Sequence, residues 1–375
     1  MQGETNVSTI RDYLLWRGDL SLSQDPFNEI DAAILARFCY SPFDGLLSGS
    51  ITEGRCIRDL CEGLLNKPAL ENEVIDPKFD IAFIRLMGKS SRFADMKVSG
   101  YVNDNDLQRQ IQFSACTYNL DGKNRYYVAF RGTDNTIVGW KENLNMGLEF
   151  PVPAQQKALE YFERVAGTLK DGSFIIGGHS KGGNLAVYAA TYCDDKYNDS
   201  ISDIYNFDGP GFMENIIDTD DFKKIENRIN TFIPEFSVVG LLLEHLEDYY
   251  VVSSVQNGIM EHELLTWEVR PTRFYYRERV NRQSRIVDKA ITDWLSGLTK
   301  EQRELFVEVV FDLAMSSDAR TIAEFRVNRK ERFNSMVKTY KEMDEDMKAG
   351  FKLVTKRLIE SAKKAYLNSP DKPWS

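Results

Sequence analysis

One serine in this chain stands where a backbone could present it for attack. It lies in Ser173-Phe-Ile-Ile-Gly-Gly-His179-Ser180-Lys181-Gly182-Gly183-Asn184, which continues as Leu-Ala-Val-Tyr-Ala-Ala190. Gly178-His179-Ser180-Lys181-Gly182 fits G-x-S-x-G, the pattern of a nucleophile elbow, in which a strand turns sharply into a helix and leaves the hydroxyl at the turn. Glycines two before and two after the serine spare that turn a Cβ on either side. The five letters alone are common, but here an apolar run, Phe174–Ile176, precedes them and a helix-like run, Leu185–Ala190, follows. That is the context the elbow requires. The chemistry is attack by a serine oxygen on an electrophilic carbon, which needs a base, an acid to orient the base, and donors for the developing oxyanion.

The chain has three histidines to serve as base. His179 sits inside the elbow, where its side chain should point away from that of Ser180, so a packing role is expected. His245 lies beside an apolar run in Leu241-Leu-Leu-Glu-His-Leu-Glu247. His262, in Asn257-Gly-Ile-Met-Glu-His262-Glu, follows the last expected strand after a glycine turn and is the expected base. For the acid, Asp208 ends the strand Asp203–Phe207 and enters Gly209-Pro210-Gly211, a position from which a carboxylate can fix the far ring nitrogen of the histidine. The same four residues are also ordinary turn chemistry. Glu235, after the next strand, is the alternative acid, and Asp248 is a third. The order Ser180, Asp208, His262 is serine, acid, histidine. One oxyanion donor follows from the elbow, the backbone N–H of Lys181. A second is expected from a loop after an earlier strand, where Arg131-Gly132-Thr133-Asp134 ends the run Tyr126–Phe130 and reads equally as a site for Thr133 as donor or as an ordinary turn.

The elements that must hold these residues alternate. A helix is expected over Glu29–Phe38 with Asn28 as N-cap and Ile30, Ala33, Ile34 and Phe38 on one face, then a second over Arg55–Leu65. A helix near Phe83 precedes strands at Ile111–Tyr118 and Tyr126–Phe130, joined by the hairpin turn Asp121-Gly122. A helix over Ala154–Leu169, the elbow, and strands at Asp203–Phe207, Arg228–Ile233 and Tyr249–Ser253 complete the pattern of a mainly parallel sheet with crossover helices. After Arg270-Pro271-Thr272 the text is helical and charged, with a capping box at Thr299-Lys300-Glu301-Gln302 and helices to about Leu367. The expected organisation is a helical segment over residues 1–79 packed on the core, an α/β core over 80–272, and a helical region over 273–375 that braces the core or meets another copy.

Bulk properties narrow the partners. The 375 residues carry 47 basic and 57 acidic side chains, a net charge of −10, which disfavours nucleic acid. Five cysteines without C-x-x-C spacing read as reduced thiols, and the three separated histidines offer no metal-ligand spacing, so no cofactor and no metal are expected. Neither a secretory signal nor a membrane span is visible, which points to a cytoplasmic location. The G-x-x-x-x-G-K-[ST] phosphate loop is also missing from Gly177–Gly183.

The motifs taken together match known families. Phe130-Arg-Gly-Thr133, Trp140 and Asn143-Leu144 resemble the oxyanion segment of the fungal-type class 3 lipases, and Gly178–Gly183 is similar to their elbow. This resemblance covers roughly Tyr126–His262. It implies the α/β-hydrolase fold and Thr133 and Lys181 as oxyanion donors. A wider stretch, with Asp12-Tyr-Leu-Leu-Trp-Arg-Gly-Asp19, Phe207–Phe212, Ile233–Gly240, and His262 with Trp267, resembles a bacterial family of unknown function in the same lipase-like branch. Two departures stand out. Lys181 occupies the place where lipases carry leucine. The class 3 pattern has its acid in Asp-x-Val-Pro, and the aligned Ser237-Val-Val-Gly240 has serine there, which moves the acid to Asp208, similar to the aspartate after a strand in pancreatic-type lipases.

Two functions follow from different classes. One is a serine hydrolase that cleaves a carboxylic ester, of a small molecule or a lipid, through an acyl-enzyme. The other is a catalytically silent scaffold that binds a partner through its helical tail. The carboxylate that lies next to His262 separates them.

Overall fold

The computed structural model describes residues 7–106, 111–133, 145–146, 149–317 and 329–369. Asp134, Trp140, Asn143 and Leu144 of the oxyanion resemblance lie outside them. Among the described residues nine strands form one sheet in which spatial order follows chain order. They are β1 Arg55–Cys56, β2 Lys97–Asp106, β3 Ile111–Asn119, β4 Arg125–Phe130, β5 Ser173–His179, β6 Ile201–Phe207, β7 Ile229–Pro234, β8 Tyr249–Val252 and β9 Tyr276–Arg277. From β4 to β8 every neighbour is parallel. β1 with β2, β3 with β4, and β8 with β9 are antiparallel. This is the α/β-hydrolase fold with a mainly parallel sheet.

The hairpin between β3 and β4 forms where the sequence places it. Gly122 takes a positive φ of 70°, Asn119 Oδ1 accepts the Gly122 N–H at 2.7 Å, and Asp121 Oδ1 accepts the Lys123 N–H at 2.8 Å. Several expectations change. The helix expected from Arg55 begins at Ile57, because Arg55 and Cys56 pair with Val98 and Lys97 as an edge strand. Strand β2 has no counterpart among the expected strands, since its end, Asn103-Asp104-Asn105-Asp106, has turn composition and little β propensity. Tyr276–Arg277, expected within a helical region, pairs with Val252 and Val251 as the edge strand β9.

Helices α1 Ile10–Trp16, α2 Glu29–Phe38, α3 Ile57–Leu65, α4 Pro77–Lys89, α5 Pro153–Thr168 and α6 Lys181–Tyr192 accompany the sheet. Strand order advances in one direction and parallel crossovers are right-handed, so the crossover helices share one face of the sheet. Helix α2 packs on β4, β5 and β6 and takes the opposite face. Asn28 caps it, accepting the Ile30 N–H at 3.0 Å. The periodicity predicts one apolar stripe on α2, yet Ile30 through Phe38 are all buried. The reason is a second layer: Phe83 of α4 meets Phe38 edge to face at 6.2 Å, so α2 lies between the sheet and α4.

Packing divides the chain into two units. The first holds residues up to 104, 113–132 and 154–280, so the N-terminal helices and the sheet belong together. The second holds 105–112, 133–153 and the chain from 281 onward. Its helices are α7 Arg282–Ser296, α8 Lys300–Met315, α9 Arg329–Glu342 and α10 Glu345–Asn368. The Thr299 capping box forms, with the Gln302 N–H on Thr299 Oγ1 at 3.3 Å. Trp294 packs edge to face on Phe306 at 5.0 Å, Phe306 stacks on Phe351 at 5.6 Å, and the Trp294 indole donates to the Val354 carbonyl at 3.0 Å. Among the described residues no helix is long and apolar enough to cross a membrane.

Candidate active site

Ser180 sits between the last residue of β5 and the first of α6 with φ 57° and ψ −134°. Such a conformation costs a non-glycine residue about 1 to 3 kcal/mol, and the surroundings must impose it. The glycines show how they do so. A Cβ on Gly178 would enter the backbone of Gly182, and one on Gly182 would enter the Phe130 carbonyl. Only with both side chains missing can β5, the end of β4 and the start of α6 close up. The Ser180 N–H then donates to the Phe207 carbonyl at 2.8 Å.

The next strand repeats the arrangement. Asp208 follows the last residue of β6, takes a φ of 51°, and donates its N–H to the Phe232 carbonyl at 2.7 Å. His179 is in register with Phe207, and Phe207 with Phe232. Ser180 and Asp208 are therefore equivalent positions at the carboxyl ends of adjacent parallel strands. Both carboxylate oxygens are engaged: Oδ2 lies 2.5 Å from His262 Nδ1, and Oδ1 accepts the Ser237 hydroxyl at 2.5 Å. Ser237 Oγ in turn accepts the Gly240 N–H at 2.8 Å. The serine found where the class 3 pattern has its acid is thus a hydrogen-bond donor to Asp208.

The turn after Asp208 is held from two sides. The Gly209 N–H donates to Asn206 Oδ1 at 3.0 Å, and Asn184 of the elbow helix donates to the Pro210 and Gly211 carbonyls at 3.1 and 2.9 Å. Gln155 fixes the Asn184 amide by donating to its Oδ1 at 2.9 Å. The alternative acid is placed elsewhere, since Glu235 pairs with Arg277 at 3.1 Å. Asp248 is exposed.

His262 closes a 3-10 turn, Gly258–His262, after β8. The carboxylate on Nδ1 can only accept, so that nitrogen carries the proton and Nε2 keeps the lone pair a base needs. Its side chain is 29% exposed, against 1% for Asp208, so the ring reaches solvent while its partner does not. Neighbours on both sides anchor the turn. Glu261 accepts the Phe236 and Gly258 N–H groups at 2.8 and 3.0 Å, and the Trp267 indole donates to the Glu261 carbonyl at 2.7 Å. Glu263 is gripped by Arg37 of α2 through Nε at 2.9 Å and Nη2 at 3.2 Å, and Nη2 also reaches Asp80 at 2.6 Å. Burial opposes charge on Glu263, yet the Arg37 guanidinium holds its carboxyl below the usual range.

The other histidines have different partners. His245 bonds Glu247 at 3.1 Å through Nδ1 and the Gly240 carbonyl at 2.8 Å through Nε2. Burial resists charging that ring, but the Glu247 carboxylate and the carbonyl outweigh it and raise its pKa. His179 bonds Tyr40 and the His262 carbonyl. Lys181 opens α6, in the first turn where helix N–H groups have no partner in the helix itself, and its side chain is buried. Thr133 is half-buried and follows Gly132, which lies against the elbow: a Cβ there would come within 3.0 Å of Ser180 Cβ.

Arg37, Tyr40, Asn184 and Glu263 escape a reading by motif. Two left a trace. An arginine inside the apolar run Ala32–Phe38 requires a buried anion, and an asparagine at the start of a helix of small residues requires acceptors.

A search of curated proteins finds no match. Among solved structures, a Rhizomucor miehei lipase propeptide complex is similar at 12% identity and TM-score 0.40, over 68% of this chain and 75% of that one. A mutant form of MDLA from Penicillium cyclopium is similar at 14% and 0.39, over 65% and 82%. Yarrowia lipolytica Lip2 lipase is similar at 11% and 0.36, over 67% and 84%. A family model matches residues 87–312, well over half of the chain, and on that match the chain belongs to the Mbeg1-like family.

Proposed function

We propose that this protein is a serine hydrolase that cleaves a carboxylic ester, of a small molecule or a lipid, through an acyl-enzyme on Ser180. His262 Nε2 takes the proton of the Ser180 hydroxyl as the oxygen attacks the ester carbonyl, and Asp208 holds the imidazole by Nδ1 and balances the charge it gains. The backbone N–H of Lys181 receives the oxyanion, with Thr133 the second donor by its place in the sequence pattern. Collapse of the tetrahedral intermediate expels the alcohol, which leaves with the proton from His262. Water then repeats the sequence on the acyl-enzyme and frees the acid.

The observation that carries this reading is the buried carboxylate of Asp208 at 2.5 Å from His262 Nδ1. Backbone strain supports it: among the described residues four non-glycine residues have positive φ, and Ser180 and Asp208 are two of them. A scaffold without catalysis has no need of a strained serine and a strained aspartate at equivalent strand ends.

A fluorophosphonate probe tests the reading. One adduct is expected per chain, located on Ser180 by peptide mass mapping and lost in Ser180→Ala. An unlabelled wild type, or a Ser180→Ala variant that still labels, returns the protein to the scaffold reading.

A further inference from the structure

We propose that Tyr40 and His179 form a clasp that fixes the register of the end of β4, the elbow and the His262 turn, and that both are positioning residues for ester cleavage. The inference rests on the serine hydrolase reading above. Its geometry is independent of that reading.

Tyr40 follows α2 and is buried beneath the elbow. Its hydroxyl accepts the Gly132 N–H at 3.0 Å. It lies 3.1 Å from His179 Nδ1 and also 3.1 Å from the His179 carbonyl. On the far side of the ring, His179 Nε2 is 2.8 Å from the His262 carbonyl. A carbonyl only accepts, so His179 Nε2 carries a hydrogen. The phenol hydrogen goes to His179, either to Nδ1 or to the carbonyl, and a phenol lone pair accepts from Gly132. With His179 neutral and Tyr40 protonated, Nδ1 is an acceptor for the phenol.

The environment holds both in those states. Burial first, then the neighbouring His262 ring and Arg37, keep His179 well below the usual imidazole range. Burial likewise raises the Tyr40 phenol, so it stays protonated. The His179 and His262 rings lie 4.5 Å apart, which suits a neutral ring beside one that must accept a proton. Gly132 is part of the fit, because a Cβ there would strike Tyr40 Oη and the His179 carbonyl.

The three segments joined this way carry different parts of the proposed chemistry. Gly132 is the residue from which Thr133 continues, His179 precedes the nucleophile, and the His262 carbonyl belongs to the base. Two side chains thus set distances that no single loop could set. Displacements of about 1 Å cost on the order of a hundredfold in rate.

The test uses the full chain with Tyr40→Phe, His179→Gln and His179→Asn, a p-nitrophenyl ester, active-site titration with the fluorophosphonate probe, and thermal midpoints. Tyr40→Phe should lower kcat per titrated site by about ten- to a hundredfold, with KM within about twofold. Glutamine keeps a donor near the place of Nε2 and so retains its hold on His262, whereas asparagine keeps only the atom facing Tyr40. His179→Gln should therefore keep more activity than His179→Asn. Nitrogen-15 NMR of the histidines should show a neutral, Nε2-protonated ring for His179 between about pH 5 and 8. The clasp is overturned if a labelled wild type is matched within twofold by all three variants, if losses follow the folded fraction alone, or if His179 titrates as an ordinary imidazole. A wild type that neither labels nor turns over defeats the hydrolase reading instead, and the NMR result then decides the clasp by itself.

Discussion

The chain has helices before its sheet and helices after it, and the two sets are held together by different physics. The N-terminal helices are tied down by buried polar groups whose partners are far away in sequence. Arg37 holds Glu263, Tyr40 holds His179 and Gly132, and Glu29 accepts the Phe274 N–H at 2.7 Å and the Tyr276 hydroxyl at 2.8 Å. Arg92 forks onto Asp31 of α2 with both side chains fully buried. The C-terminal helices carry exposed pairs within single helices, as in Lys300–Glu304 at 3.5 Å, Lys338–Glu342 at 3.9 Å and Lys356–Glu360 at 3.8 Å, and a few polar links to one another, such as Arg357 to the Gly297 carbonyl at 2.8 Å. Such exposed pairs contribute little, and the aromatic contacts of Trp294, Phe306 and Phe351 give the second unit its cohesion. The polar residues of α2 and of Tyr40 reach the elbow and the His262 turn, and so belong to the framework of the site.

The sharpest way to break this contrast is Arg37→Leu. It leaves the buried Asp80 and the partly buried Glu263 without their cation, and removal of one partner from such a group costs about 3 to 5 kcal/mol. Denaturant unfolding should show that loss, with labelling of Ser180 falling as the His262 turn is released. Trp294→Ala is the counterpart in the second unit. It should cost about 2 kcal/mol as a partly buried aromatic, read by the same titration, and leave the labelling rate of Ser180 unchanged.

A pH series sharpens the comparison further. His179 is held below its ordinary value of 6.5 and stays neutral in the fold, so below that pH the unfolded chain binds a proton that the native chain refuses. Stability must fall as pH drops below that value, by up to about 1.4 kcal/mol per unit. His245 has the opposite sign: its pKa is raised above 6.5, so its contribution is full below that value and is lost as pH rises through the raised pKa. Stability curves from urea titrations at several pH values should lose their acid-side slope in His179→Asn and their neutral-side slope in His245→Asn. The smallest effect is expected from Lys338→Ala and Lys356→Ala, whose unfolding midpoints should coincide with wild type.

The sequence makes the central strands and the elbow legible because each rests on local grammar, and it offers Asp208 and Glu235 as alternative partners for His262. Gly178 and Gly182 bracket Ser180, and Asp208 stands at a strand end before a glycine turn. The same grammar gives the caps at Asn28 and Thr299. What it does not give is anything that depends on which segments meet. Arg37 and Glu263 are separated by most of the core, and nothing near either names the other. Tyr40 reads as one more aromatic at the end of a helix. Ser237 carries the subtlest lesson: alignment marks it as the place an acid has left, and only packing brings its hydroxyl to the acid's present position. Strand β2 is hidden for a related reason, since pairing with neighbours sustains a segment whose own residues favour turns.

Asp208 is the residue on which the proposed chemistry most depends, and one comparison tests it: esterase turnover of Asp208→Asn against Glu235→Gln, each scaled to folded protein. An asparagine at the orienting position should lower kcat on the order of 10³- to 10⁴-fold while Glu235→Gln stays near wild type. Full activity in Asp208→Asn, or a collapse confined to Glu235→Gln, would contradict the assignment of the acid and the site built around it.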